Sequence, residues 1–138
     1  MSDPASDPDN DPFHLQRFLE AQDPIHTRVL GELHRGRKTT HWMWYVFPQL
    51  RGLGQSPMSE RYGISSEDEA RAYLQHPILG PRLRECVGIV NGIEGHSAHD
   101  IFGYPDDLKF RSCLSLFSAA APDDELFSTA LQKYFPEK

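Results

Sequence analysis

The chain has 138 residues, a formal net charge of −6, and 38% apolar and 11% aromatic side chains. That length supports one domain with a single core and no staples. No apolar run approaches the roughly 20 residues of a membrane-spanning helix. Of the 20 acids, Asp3, Asp7, Asp9 and Asp11 crowd the N-terminal stretch, leaving 16 against 14 bases. A nucleic-acid binder would show a basic face instead, so no nucleic-acid or membrane partner is expected.

The two cysteines, Cys86 and Cys113, are too few for a disulfide framework and read as buried small apolar side chains in a reducing compartment. The N-terminus lacks the basic and apolar regions of a secretory signal, which points to a cytoplasmic protein. Seven histidines are scattered without finger spacing or an H-E-x-x-H, so no metal or other cofactor is expected.

Residues 1–10 repeat Asp-Pro without periodicity and are expected to be a disordered acidic tail. The alternative is an arm of a protein-interaction adaptor. Residues 11–138 then form one helical domain. Asp11-Pro12 predicts a helix start, followed by Phe13, Leu15, Phe18 and Leu19 on one face. Asp23-Pro24 repeats the device for a helix with Ile25, Val29, Leu30 and Leu33 inward. That helix runs out at Gly36, where Arg35, Arg37 and Lys38 suit a helix C-terminus. Gly31-x4-Gly36-Arg37-Lys38-Thr39 has the outline of a phosphate loop, but its lysine is one place late and no strand precedes it. An anion-binding corner is the alternative reading of these cations.

His41-Trp42-Met43-Trp44-Tyr45-Val46-Phe47 is too continuously apolar to separate a buried helical turn from a short strand. Pro48 ends it, and a glycine loop carries the chain to Ser56-Pro57, which opens a short helix. Ser65-Ser66 with Glu67, Asp68 and Glu69 is a strong start for the next. Leu79-Gly80-Pro81 opens what reads as the longest helix. Ser97 with Asp100, then Tyr104-Pro105-Asp106-Asp107, then Pro122-Asp123-Asp124 mark three more starts. With strand alternation nearly absent, the chain is expected to be all-α, a compact bundle of seven or eight short helices and a monomer.

Three groups of residues could carry chemistry. His41, Trp42 and Trp44 could supply a base and a stacking platform, or fill the core. Gln49 and Ser56 are polar handles flanking a loop whose glycines let backbone N–H groups approach a ligand. Asp106, Asp107, Lys109 and Arg111 could pair along a helix, or bind an anion beside a carboxylate base.

Three motifs together resemble one bacterial family. They are His41-Trp-Met-Trp-Tyr-Val-Phe-Pro-Gln-Leu-x-Gly-Leu-Gly with Ser56, then Tyr73-Leu-x-His-Pro-x-Leu-Gly-Pro-Arg-Leu, then Ile101-Phe-Gly-Tyr-Pro-Asp-Asp-Leu-Lys-Phe-x-Ser. The family is that of domain of unknown function 1810, whose members are often labelled calpastatin. The resemblance spans about residues 11 to 135 and implies a mainly helical fold with no established activity.

A fainter likeness involves Ser59-Glu60-Arg61-Tyr62 and the Phe-Gly-x-x-Asp-x-x-Lys pattern from Phe102 to Lys109. It is similar to N-glycosidases that act on ADP-ribose-linked substrates, where a glutamate in Ser-Glu-His-Tyr does the acid/base work. That likeness implies Glu60 as a catalytic residue, with Arg61 in place of the histidine.

Two functions from different classes follow. One is a pocket for a nucleotide-like or ADP-ribose-like small molecule, formed by the aromatic segment and the Asp106 helix. The other is an N-glycosidase-type hydrolase. It needs a carboxylate (Glu60, Asp106 or Asp107), cations for phosphate (Arg37, Lys38, Lys109 or Arg111) and an aromatic face (Trp42 or Trp44).

Overall fold

The computed structural model describes residues 11–52 and 56–136. The expected acidic tail, residues 1–10, and Leu53, Gly54 and Gln55 of the glycine loop lie outside the described residues. Within the described residues the chain is all-α, with nine helices and no strand. Leu50 and Ile64 form an isolated parallel bridge. No described helix is long and apolar enough to cross a membrane.

The first helix, α1 (Gln16–Gln22), starts later than Asp11-Pro12 predicts. His14, at φ 55°, turns the chain first. The Asp11 carboxylate then accepts the N–H groups of Leu15 at 2.7 Å and Gln16 at 3.0 Å. Asp11 therefore caps the helix across an intervening turn. In α2 (His26–His34), Val29 and Leu33 are buried as expected. Asp23 does not cap it but pairs with Arg82, far along the chain, at 2.9 Å.

The aromatic stretch is a single turn, α3 (Met43–Val46). It ends at Phe47 (φ −120°, ψ 73°), the residue before Pro48, where the proline ring disfavours helix. Ser56 caps α4 (Pro57–Tyr62), and Ser66 caps α5 (Glu67–Gln75). After α6 (Leu79–Asn91), α7 (Ala98–Phe102) begins with a full capping box of Ser97 and Asp100. The chain closes with α8 (Asp106–Ala120) and α9 (Glu125–Tyr134), the latter capped by Asp124. At 15 residues α8, not α6 with 13, is the longest. Ser112, Ser115 and Ser118 dilute its apolar pattern, which hides its length from a periodicity reading.

The centre of the molecule is α8, which packs against α3, α5, α7 and α9. Its buried stripe of Phe110, Cys113, Leu114 and Phe117 meets Phe47, Tyr73 and Phe127 in a dense aromatic core. Trp42 belongs to that core, at 1% exposure, and Trp44 is half-buried. Cys86 and Cys113 are buried and unbonded, and burial pushes the Cys86 thiol up to about 12.

One ion pair is enclosed with the apolar groups. Arg17 of α1 reaches Glu69 of α5 at 2.8 Å, both side chains being almost fully buried. The remaining guanidinium donors go to the carbonyls of Phe13, His14, Arg61 and Gly63. Glu69 in turn accepts the N–H and hydroxyl of Ser65. A buried charge survives only with its lone pairs and protons met in this way.

Candidate functional site

The site grows from the chain that follows α2. Glu32, in the last turn of that helix and with no exposed surface, points its carboxylate at residues 39–42. It accepts the N–H groups of Thr39 (2.7 Å) and Thr40 (3.1 Å), the Thr40 hydroxyl (2.5 Å) and the Trp42 indole N–H (2.9 Å). Burial alone would raise the carboxyl pKa. The hydrogen bonds from Thr40, Thr39 and Trp42 outweigh it and bring the group down to about 2. The anion corner suggested by the phosphate-loop likeness is thus filled by a carboxylate of the chain itself.

Fixing residues 39–42 also fixes Lys38. Its backbone N–H donates to the Ile101 carbonyl at 2.7 Å. Its side chain, 6% exposed, reaches Asp106 Oδ2 at 2.7 Å, with the ammonium 5.2 Å from the Trp42 ring centre. The other oxygen of Asp106 takes Lys109 at 3.1 Å, and the Lys109 ammonium lies 4.0 Å over the Trp44 ring. Burial pushes the Asp106 carboxyl up, but Lys38 and Lys109 prevail and hold it below the usual carboxylate range. Four of the residues singled out by sequence, Lys38, Trp44, Asp106 and Lys109, therefore form one network.

The remaining candidates are placed around it unequally. The Trp42 indole is enclosed and committed to Glu32, so it offers no face to a ligand. One face of Trp44 is covered by Lys109. Asp107 accepts the N–H of Leu108 at 2.9 Å and lies 3.7 Å from His99 Nδ1. His41 is exposed, Gln49 is buried, and Ser56 is occupied in capping α4. Glu60 is exposed in the first turn of α4 and shares none of these contacts.

Arg111 lines a concavity of about 690 Å3 on the outer side of α8. Leu108, Ser112, Ser115 and Leu116 form the helix side of this groove, with Leu50 and Glu67 completing it. Leu108 is 47% exposed and Leu50 39% exposed. The α8 residues recur at helical spacing opposite the buried stripe, a second face that a reading of the helix for burial alone passes over. Glu32 escapes such a reading too. Its signal is an acid in a last helical turn, the end where the macrodipole disfavours negative charge. Among the described residues, no group of three or more His, Cys, Asp or Glu side chains is arranged to hold a metal ion.

A family model described as "Protein of unknown function (DUF1810)" matches residues 12–138. Among solved structures, the conserved hypothetical protein Rv1873 from Mycobacterium tuberculosis is 57% identical to this chain. That match covers 91% of this chain and 89% of that one, with a TM-score of 0.89. No curated protein matches.

Proposed function

Because the chain belongs to the DUF1810 family of proteins of unknown function, we infer its role from the site itself: it binds a nucleotide-like or ADP-ribose-like small molecule in the α8 groove. The observation that carries this reading is the groove, whose volume of about 690 Å3 lies in the range of small-ligand pockets. Leu50, Leu108 and Leu116 offer apolar surface for a planar base. Arg111, whose guanidinium lies 5.9 Å from the Phe135 ring centre, lines the groove as a cation for phosphate, and Ser112 and Ser115 offer hydroxyls for a sugar.

Binding without turnover is favoured over hydrolysis by the state of Asp106. A carboxylate held ionised between two ammonium groups has no proton to donate, and its charge is already matched. The hydrolase reading draws instead on Asp107, which lies 3.7 Å from His99 Nδ1. In that reading the Asp107 side chain would stabilise the positive charge that develops on the sugar.

A thermal-shift titration with AMP, ADP and ADP-ribose tests the binding reading. At least one is expected to raise the melting temperature saturably. Arg111→Gln is expected to weaken that ligand by roughly tenfold or more, since a hydrogen bond to a charged group contributes about 1.5–3 kcal/mol. No shift from any of the three, or a shift indifferent to Arg111→Gln, sinks the assignment. Release of free base or ribose that stops in Asp107→Asn would replace binding with hydrolysis.

A further inference from the structure

A second concavity lies at the ends of α2 and α6. Its volume is about 480 Å3, and its lining includes His34, Arg35, Ile89, Ile93, Glu94 and His96. Two helix C-termini border it, and free carbonyl ends would draw a cation. Those carbonyls already have donors. At the end of α2, the N–H groups of Gly36 and Arg37 reach the carbonyls of Leu33 (2.9 Å) and Glu32 (3.1 Å). At the end of α6, the Lys133 ammonium takes the carbonyls of Asn91 (2.7 Å) and Ile93 (2.6 Å), and the Tyr134 hydroxyl takes that of Val90.

The acids nearby are engaged as well. Glu94 lies 3.7 Å from Lys133, and Asp100 lies 4.0 Å from His96 while closing the capping box of α7. Among the described residues, no carboxylate pairs with Arg35 or His34. The uncompensated charge of the hollow is therefore positive.

The α6 side of the hollow carries a glycine that the helix itself does not call for. Gly88, inside α6, has no left-handed φ, and a Cβ built on it would meet nothing within 4 Å. Neither packing nor backbone conformation asks for glycine there, and a helix interior favours alanine. Gly92, one turn on, also lines the space beside Ile89 and Ile93.

We propose that this hollow binds a small organic anion, a carboxylate or phosphate monoester with a short aliphatic body. The charge rests on Arg35 and His34 and the body against Ile89 and Ile93. The site is separate from the α8 groove and does not depend on what that groove binds.

Butyrate and glycerol 3-phosphate are the probes. Each is titrated separately into the protein at constant pH, while the His34 and His96 ring resonances are followed by NMR. One probe is expected to move both resonances saturably in the millimolar range, and its identity assigns the carboxylate or the phosphate. Arg35→Gln should weaken it by about tenfold, the scale of one charge-assisted hydrogen bond. Gly88→Leu, which fills the hollow, should abolish it. Gly88→Ala should fold, melt a few degrees higher and still bind. If neither probe moves the resonances, or if binding survives both Arg35→Gln and Gly88→Leu, the proposal is overturned. Should Gly88→Leu fail to fold, the exposed Arg35→Gln variant decides alone.

Discussion

Glu32 sits at a helix end that repels it and in a core that desolvates it, and four donors hold it there. Its folded pKa of about 2 lies below the ordinary 4.5. Its ionised form therefore contributes stability that is fully present above pH 4.5 and is lost as pH falls from 4.5 towards 2. The shift corresponds to about 3 kcal/mol. Glu32→Gln turns an acceptor oxygen into a donor facing other donors. It is expected to destabilise the protein by roughly 2–4 kcal/mol at neutral pH. Urea unfolding at pH 7 and pH 3 checks this: the variant should decline less between those values than the wild type does. An unchanged decline would assign the acid sensitivity to other groups.

Asp106 and Lys109 show how burial sets the size of a charge effect. Removing the Asp106 charge strands the Lys38 ammonium, whose side chain is only 6% exposed. Asp106→Asn should therefore cost roughly 2–4 kcal/mol. Lys109 is more exposed, and its loss leaves Asp106 still paired with Lys38. Lys109→Gln should cost about 1 kcal/mol or less, mostly the contact with Trp44. Chemical denaturation of the two variants in one buffer tests the ranking. Equal costs would mean that Lys38 is not held by Asp106 in solution.

At the scale of elements, the junction of α1 and α5 concentrates long-range order. Arg17→Met leaves the Glu69 carboxylate buried without a cation and takes a guanidinium donor from four carbonyls, an expected loss of about 3–5 kcal/mol. Ser66→Ala, which removes only the cap of α5, should cost about 1 kcal/mol. Denaturant midpoints of the pair measure both, and a cap variant as damaging as the ion-pair variant would contradict the argument.

The same elements show what a sequence reveals. The starts of α4, α5, α7 and α9 are legible because a serine or aspartate cap acts within three residues of itself. Asp11 misleads because it acts across a turn whose left-handed residue is His14, and histidine gives no strong signal for that conformation. Asp23 misleads because its partner, Arg82, comes from another helix. The α3 turn is ambiguous because four apolar residues carry no period.

At the scale of the molecule, the residue types of the site can be read from sequence but their partners cannot. Lys38, Trp44, Asp106 and Lys109 are each candidates, yet nothing local says that the aspartate paired with Lys109 along its own helix also takes Lys38 from a distant segment. The choice between Trp42 as platform and Trp42 as core stays open in the sequence for the same reason. Its indole N–H is committed to an acid ten positions earlier, on an element whose register only the fold sets.

Residues 37–42 form no helix or strand, yet two of their amide protons are bonded to a carboxylate enclosed by the core. In deuterated solvent a connecting segment normally exchanges early, through small local openings. The Thr39 and Thr40 amides should instead persist as long as those in the middle of α8, because freeing them requires exposing Glu32. In Glu32→Gln they should exchange early while the α8 amides remain slow. That pattern would mark the segment as one cooperative unit with the core, and early exchange in the unaltered protein would show that it opens independently.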